Sequence, residues 1–172
     1  LCMLMAKSST LVVIPEHLSA FPASILKILE EHKVTFLFWV PTIMVNIANM
    51  DLLSSIQLPA LKTVWFAGEV FPTKQFNYWR KMLPQTTFAN LYGPIEITLD
   101  CTCFIVNREI KDEESIPIGF PCRNTDILIL DADNKLVAEA GKEGELCVRG
   151  TSLAMGYYNN PEKTASAFVQ NP

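Results

Sequence analysis

Thr86-Thr87-Phe88-Ala89-Asn90-Leu91-Tyr92-Gly93-Pro94-Ile95-Glu96 is a β-rich run brought to a stop. Glycine frees the backbone dihedrals, and proline fixes φ and lacks an N–H, so the strand over Thr86 to Leu91 cannot continue. An aromatic ring, a backbone open to close approach and a carboxylate then fall within five residues. A planar base and a phosphate-bound cation need such groups. The same residues also suit an ordinary strand-ending turn, so the choice depends on the rest of the chain.

Upstream the same punctuation recurs. Thr10 to Ile14 is a short apolar run ended by Pro15 and reads as a buried strand. Pro22 sits where a first helical residue belongs, and Ile25, Leu26, Ile28 and Leu29 follow with helical spacing. Val34 to Val40 reads as a second strand closed by Pro41, and Ile43, Met44, Ile47 and Met50 as a helical stripe. Thr63 to Ala67 is a third strand stopped by Gly68; Pro72 opens a helix whose inner face is Phe76, Trp79, Met82 and Leu83. Four strands thus alternate with three helices, which predicts a parallel sheet with right-handed crossovers.

In such a sheet every strand-to-helix loop lies at the carboxyl edge, where ligands of open α/β sheets bind. Trp39-Val40-Pro41, Ala67-Gly68-Glu69 and Leu91-Tyr92-Gly93 are therefore expected on one rim.

Beyond Glu96 the rhythm changes. Strands are expected over Leu99 to Val106, Thr125 to Leu130 and Gly144 to Arg149, with a charged loop over 107–115 and a turn at 131–135. Short strands between turn residues imply antiparallel pairing and part of a barrel. Pro161 to Phe168 reads as a short helix capped by Asn159 or Asn160. The fold class is thus α/β, a parallel β-α-β sheet layer followed by a β-rich, partial-barrel segment. The subdomains are set at 1–110 and 111–172.

The 172 residues carry a net charge of −4 and no lysine or arginine cluster, which argues against nucleic acid as a partner. Hydrophobic residues make up 49% and charged ones 19%, which suits a sheet covered on both faces. No apolar run is long enough to span a bilayer; Phe36 to Met50 comes nearest, and Pro41, Asn46 and Asn49 interrupt it. The five cysteines (2, 101, 103, 122 and 147) form no CxxC pair and are expected as reduced core thiols of a cytoplasmic protein. Cys101 and Cys103 are expected on one strand face. His17 and His32 lack acidic or cysteine partners at a telling spacing and suit structural or surface roles.

Asn90-Leu91-Tyr92-Gly93-Pro94-Ile95-Glu96 resembles the N-x-Y-G-P-T-E motif of adenylate-forming enzymes, the acyl- and amino-acid-activating ligases. Gly144-Glu145-Leu146-Cys147-Val148-Arg149-Gly150, Ala154-Met155-Gly156-Tyr157-Tyr158-Asn159 and Pro161-Glu162-Lys163-Thr164 with Phe168 resemble a later signature of the same family. Ile118-Gly119-Phe120-Pro121 with Asp131 is similar to the linking segment, so order and spacing agree over nearly the whole chain. The chain looks closest to amino-acid-activating members, and around Ala67-Gly68-Glu69-Val70 it is similar to D-alanine–D-alanyl carrier protein ligases.

The resemblance implies a reaction in two halves. A substrate carboxylate attacks the α-phosphate of ATP to give an acyl-adenylate and pyrophosphate. The acyl group then passes to the thiol of a carrier protein or of coenzyme A. Alignment of the reactants and neutralisation of charge at phosphorus supply the catalysis, and no side chain becomes covalently bound.

By similarity Tyr92 stacks on adenine, Asn90 and the backbone near Gly68, Glu69, Leu91 and Gly93 hold the nucleotide, and Glu96 helps bind Mg²⁺. Taken alone, Glu96 equally suits a helix-N-terminal acid. Phe38, Trp65, Ala67, Leu91, Leu99 and Asp100 match the substrate pocket, although Phe38 and Trp65 also suit simple core packing. Asp100 stands either facing a substrate amine or solvated.

Two positions depart from the pattern. Ile95 replaces the motif threonine, removing a hydroxyl donor whose loss costs on the order of 3 kcal/mol at a transition state. Met155 replaces the usual arginine. The family's phosphate loop is expected before Leu1, and its ribose-binding aspartate, hinge and catalytic lysine after Pro172. The chain is therefore read as an internal piece of a large N-terminal domain, inactive by itself and with no complete catalytic set. A fatty- or aryl-acid coenzyme A ligase and a non-catalytic nucleotide-binding relative are the alternatives.

Overall fold

The computed structural model describes residues 8–18 and 20–169. The chain divides into two compact units. The first holds the described residues up to Ala89 together with Ile105–Ile116, and the second holds Asn90–Phe104 and the described residues from Pro117 onward.

In the first unit, helix α1 (Pro22–Glu31) precedes strand β1 (Phe36–Trp39), α2 (Pro41–Asn49) precedes β2 (Thr63–Phe66), and α3 (Thr73–Met82) leads toward β3 (Thr87–Tyr92). β1 and β2 pair in parallel with Phe38 opposite Trp65, as the β-α-β rhythm requires. Prolines set the helix starts: Pro22 and Pro41 occupy the first helical turn, where a missing N–H costs nothing, and Pro72 is the N-cap of α3.

Period-two alternation sends Leu37, Val64, Phe66 and Phe88 to the helix-covered face. There Phe66, Phe71, Phe76 and Phe88 stack in tilted and edge-to-face pairs with centroids 5.1–5.6 Å apart. Trp79 is wholly buried, and its indole N–H donates to the Met44 carbonyl at 2.9 Å, tying α3 to α2. The other sheet face carries Phe36, Phe38 and Trp65, with Phe38 40% exposed. This face is covered unevenly, since Ala89 of β3 is buried on it while Phe38 is not.

One expectation fails at the start. Thr10 to Ile14 forms no strand, and Leu11 and Val13 are 61% and 75% exposed. Strand propensity expresses fit to a paired, half-buried surface, and this run has no ladder to join. Among the described residues three strands, not four, alternate with the helices.

The remaining strands are β4 (Thr102–Ile105), the two-residue β5 (Phe120–Pro121), β6 (Thr125–Leu130) and β7 (Glu145–Gly150). The larger sheet has the order β1-β2-β3-β4-β5, and β6-β7 is a separate antiparallel ribbon of six residue pairs. No closed barrel forms among the described residues. Leu99 to Cys101, expected within a strand, instead follow a 3-10 turn at Ile95–Ile97.

Asp131 organises the turn after β6: its Oδ1 accepts the N–H groups of Asp133 and Lys135, each at 2.9 Å. Helix α4 (Pro161–Ala167) is capped by Asn160, whose Oδ1 accepts from the Lys163 N–H at 3.1 Å. No helix among the described residues is long and apolar enough to cross a membrane.

The thiol expectation holds only in part. Cys101, Cys103, Cys122 and Cys147 are free, but only Cys101 is buried and the others are half-buried; Cys2 lies outside the described residues. Burial pushes all four thiols up, away from the reactive thiolate. Cys101 precedes β4, so strand alternation does not pair it with Cys103. His17 and His32 are exposed, as a surface role requires.

Candidate adenylate site

In the second unit, β3 ends at Tyr92 and the chain turns through Gly93-Pro94 into the 3-10 turn. The return leg passes so close that a Cβ on Gly93 would lie 2.2 Å from the Leu99 carbonyl oxygen and 2.6 Å from the Asp100 Cα. Gly93 is thus required by space. Its φ is not positive, which replaces the expectation of dihedral freedom. The Cys101 N–H closes the loop onto the Tyr92 carbonyl at 2.7 Å.

This closed loop displays its side chains unequally. Leu91 is buried, Tyr92 is over a third exposed, and Leu99 and Ile95 are 63% and 85% exposed. Asn90 donates its amide N–H to the Pro117 carbonyl at 2.9 Å, so that end of its side chain is committed to holding the backbone. Asp100 is half-buried, and burial holds its carboxyl above the usual carboxylate range, with no cation paired to it among the described residues.

Glu96 is anchored from the later signature. The Tyr157 hydroxyl donates to its Oε1, and its carbonyl accepts from the Ala154 N–H at 2.7 Å. Beside it, Thr98 Oγ1 donates to the Ser152 carbonyl at 2.7 Å. The Tyr157 hydrogen bond, aided by the Glu96 N–H and more weakly by Lys163, holds the Glu96 carboxyl below its usual range and so ionised. The same bond pushes the Tyr157 phenol up.

An ionised carboxylate held in place by a neighbouring phenol fits a single protein contact to Mg²⁺, which takes its other ligands from phosphate and water. No group of three or more His, Cys, Asp or Glu among the described residues could hold a metal alone.

The first unit presents two of the expected rim loops. The Ala67 N–H donates to the Trp39 carbonyl at 3.3 Å. Gly68 adopts φ +89, and a Cβ there would meet nothing nearer than Val40 Cγ1, at 3.8 Å. Gly68 is therefore required by conformation. Glu69 Oε2 accepts from the Thr42 N–H at 2.9 Å and from Thr42 Oγ1 at 2.5 Å. Its side chain caps α2, leaving the backbone of Gly68-Glu69 as the part able to meet a ligand.

Two cavities stand out. One of about 760 Å³ lies at the amino end of β3, lined by Arg80, Lys81, Thr86, Phe88, Ile105 and Lys111, and contains none of the expected site residues. The other, about 600 Å³, is lined by Met155, Gly156, Tyr157, Asn160 and Thr164. Tyr157 and Thr42 have no role in the expectations drawn from the sequence. Tyr157 stands inside the later signature, but Thr42 carries no signal beyond following a helix-starting proline.

The family model for AMP-binding enzymes matches residues 1–158. The chain belongs to the AMP-binding enzyme family. It is 34% identical over 155 residues to zwittermicin A synthase ZmaJ of Bacillus cereus, an alignment covering 87% of this chain and 29% of that protein. The adenylation domain AlmE of Vibrio cholerae, solved with glycyl-adenosine-5'-phosphate, superposes with a TM-score of 0.80 at 29% identity, over 92% of this chain and 30% of that one. PA1221, a nonribosomal peptide synthetase protein containing adenylation and peptidyl carrier domains, superposes with a TM-score of 0.79 at 25% identity, over 88% and 30%. The chain thus spans about three-tenths of the length of these relatives.

Proposed function

We propose that this chain is a segment of an ATP-dependent, AMP-forming ligase that activates an amino acid as its adenylate and passes it to a carrier-protein thiol. The observation that carries the reading is the closed Tyr92–Cys101 loop, which exposes an aromatic ring and holds an ionised carboxylate four residues later. The glycyl-adenylate bound by AlmE supports an amino acid as substrate, and the carrier domain of PA1221 supports a carrier thiol as acceptor.

Tyr92 stacks on adenine, and the Asn90, Leu91 and Gly93 segment with the Gly68-Glu69 backbone contacts the nucleotide. Glu96 contributes the one protein ligand to Mg²⁺, which when bound offsets negative charge on the phosphates. Phe38, Trp65, Ala67, Leu91 and Leu99 favour a small or apolar side chain, and Asp100 faces the substrate amine. Its raised carboxyl supports that role, because an arriving ammonium would relieve an unpaired, half-buried charge.

The test is ATP–pyrophosphate exchange by the full-length protein across a panel of amino, fatty and aryl acids. Exchange driven by an amino acid is expected; exchange driven only by a fatty or aryl acid would assign the protein to the coenzyme A ligases. Residues 1–172 alone are expected to show none.

A non-catalytic nucleotide-binding relative is the second reading, favoured by Ile95. Its exposed aliphatic side chain stands where the motif has a hydroxyl. Under that reading exchange by the full-length protein is near background and Ile95→Thr raises it up to about 100-fold, the roughly 3 kcal/mol of the missing donor; an unchanged rate from a robust baseline removes it.

A further inference from the structure

Sixty-one positions separate Glu96 from Tyr157, yet the phenol hydroxyl meets the carboxylate. The Glu96 backbone is fixed through its carbonyl and its own N–H supports the carboxylate, and among the described residues the Tyr157 hydroxyl is the hydrogen-bond partner that reaches this side chain from a distant part of the sequence. A glutamate tethered only through its backbone samples many rotamers, and ordering it costs entropy each time it binds a cation. Tyr157 restricts that freedom by engaging Oε1.

Tyr157 is itself held with care. Its N–H donates to Thr164 Oγ1 at 2.9 Å, its ring meets Phe168 edge-on at 5.7 Å, and Lys163 Nζ stands 4.4 Å over the ring centroid. Those three residues come from α4 and its C-cap. Gly156 permits the approach: a Cβ there would lie 2.6 Å from Thr164 Cγ2. The helix start is set in turn by the Asn160 cap and Pro161. Residues of the later signature from Gly156 to Phe168 thus share in seating one phenol.

We propose that Tyr157 is a positioning residue for Glu96, and that the segment Gly156–Phe168 serves to aim the carboxylate of the first signature. The proposal rests on the reading of Glu96 as a Mg²⁺ ligand. Tyr157 does not contact the metal; it acts through Glu96.

The test uses the full-length protein with a non-hydrolysable ATP analogue and Mn²⁺ as a paramagnetic stand-in for Mg²⁺, free ion being read by electron paramagnetic resonance. Tyr157→Phe keeps the ring and removes the hydroxyl. It is expected to weaken Mn²⁺ binding about 10-fold, the usual effect of losing a partner that orients a metal ligand. Affinity for the analogue without metal should stay unchanged. Glu96→Gln should weaken Mn²⁺ binding at least as much, and the double variant no more than Glu96→Gln alone.

Thr164→Val, which removes the acceptor of the Tyr157 N–H together with the hydroxyl's bond to the Asn160 carbonyl, should give a smaller loss in the same direction and serves if Tyr157→Phe folds poorly. Mn²⁺ binding weakened by Glu96→Gln but by neither Tyr157→Phe nor Thr164→Val overturns the proposal and leaves the metal reading standing. Binding unaffected by Glu96→Gln overturns both.

Discussion

Glu69 and Thr42 are joined by two hydrogen bonds to a single carboxylate oxygen, one from the Thr42 N–H at 2.9 Å and one from its hydroxyl at 2.5 Å. The carboxylate thereby satisfies an orphan donor in the first turn of α2 and complements its dipole. Glu69→Ala is expected to lower stability by about 1 kcal/mol, as losing a cap does, measured by urea unfolding. An unchanged midpoint would mean that solvent serves the helix end equally well.

Gly68 and Gly93 stand at corresponding strand ends, yet their requirements differ. Alanine at Gly93 would drive a Cβ to 2.2 Å from backbone oxygen, which cannot yield as a flexible side chain does. Gly93→Ala should cost about 3 kcal/mol or prevent folding, since overpacking forces backbone shifts. Gly68→Ala meets open space and a left-handed φ, and should cost only about 1 kcal/mol. Unfolding curves in which Gly68→Ala proves the worse variant would contradict the loop geometry.

Asp100 gives a pH signature. Burial raises its folded-state carboxyl above the unfolded value, so the folded state holds the proton more tightly. Its contribution to stability is present below the unfolded value, about 3.9, and is lost as pH rises through the folded one. Asp100→Asn should therefore raise stability at pH 7 and flatten the dependence in the acid range. In the full-length enzyme the same change should raise KM for the amino acid about 10-fold, the effect of losing a charged hydrogen bond of roughly 1.5 kcal/mol. A stability gain without a KM change would leave Asp100 solvated and not substrate-facing.

Tyr78 supplies the alkaline counterpart. Its hydroxyl accepts from the Leu53 N–H at 3.0 Å, and burial, followed by a hydrogen bond to Asp51, pushes its phenol up to about 12. The stabilisation is complete below the unfolded value near 10 and disappears as pH passes about 12. Tyr78→Phe should abolish the corresponding step in stability between these limits, followed by phenolate absorbance together with circular dichroism.

Much of the β-α-β layer is legible because prolines 22, 41 and 72 and Gly68 mark its boundaries chemically, whatever packs around them. Thr10 to Ile14 misleads because an apolar run becomes a strand only beside a partner, and sequence does not reveal partners. The two-residue β5 is too short for any period to show. At the site, Tyr92 and Glu96 are conspicuous because their chemistry lies within one turn. The Glu69 cap and the Tyr157 tether are not, since each joins side chains 27 or 61 positions apart. Gly93 stands out in the sequence for the wrong property, because crowding by Leu99 and Asp100 exists only once the loop has closed.

The central claim is that the exposed ring of Tyr92 receives adenine, and nucleotide binding to the full-length protein tests it most directly. Calorimetric titration with α,β-methylene-ATP should show Tyr92→Ala weakening affinity about 10- to 100-fold, matching the roughly 1–3 kcal/mol of a base stacked on an aromatic ring. Tyr92→Phe should bind nearly as well as the unaltered protein. Equal affinity in the folded Tyr92→Ala protein would contradict the account.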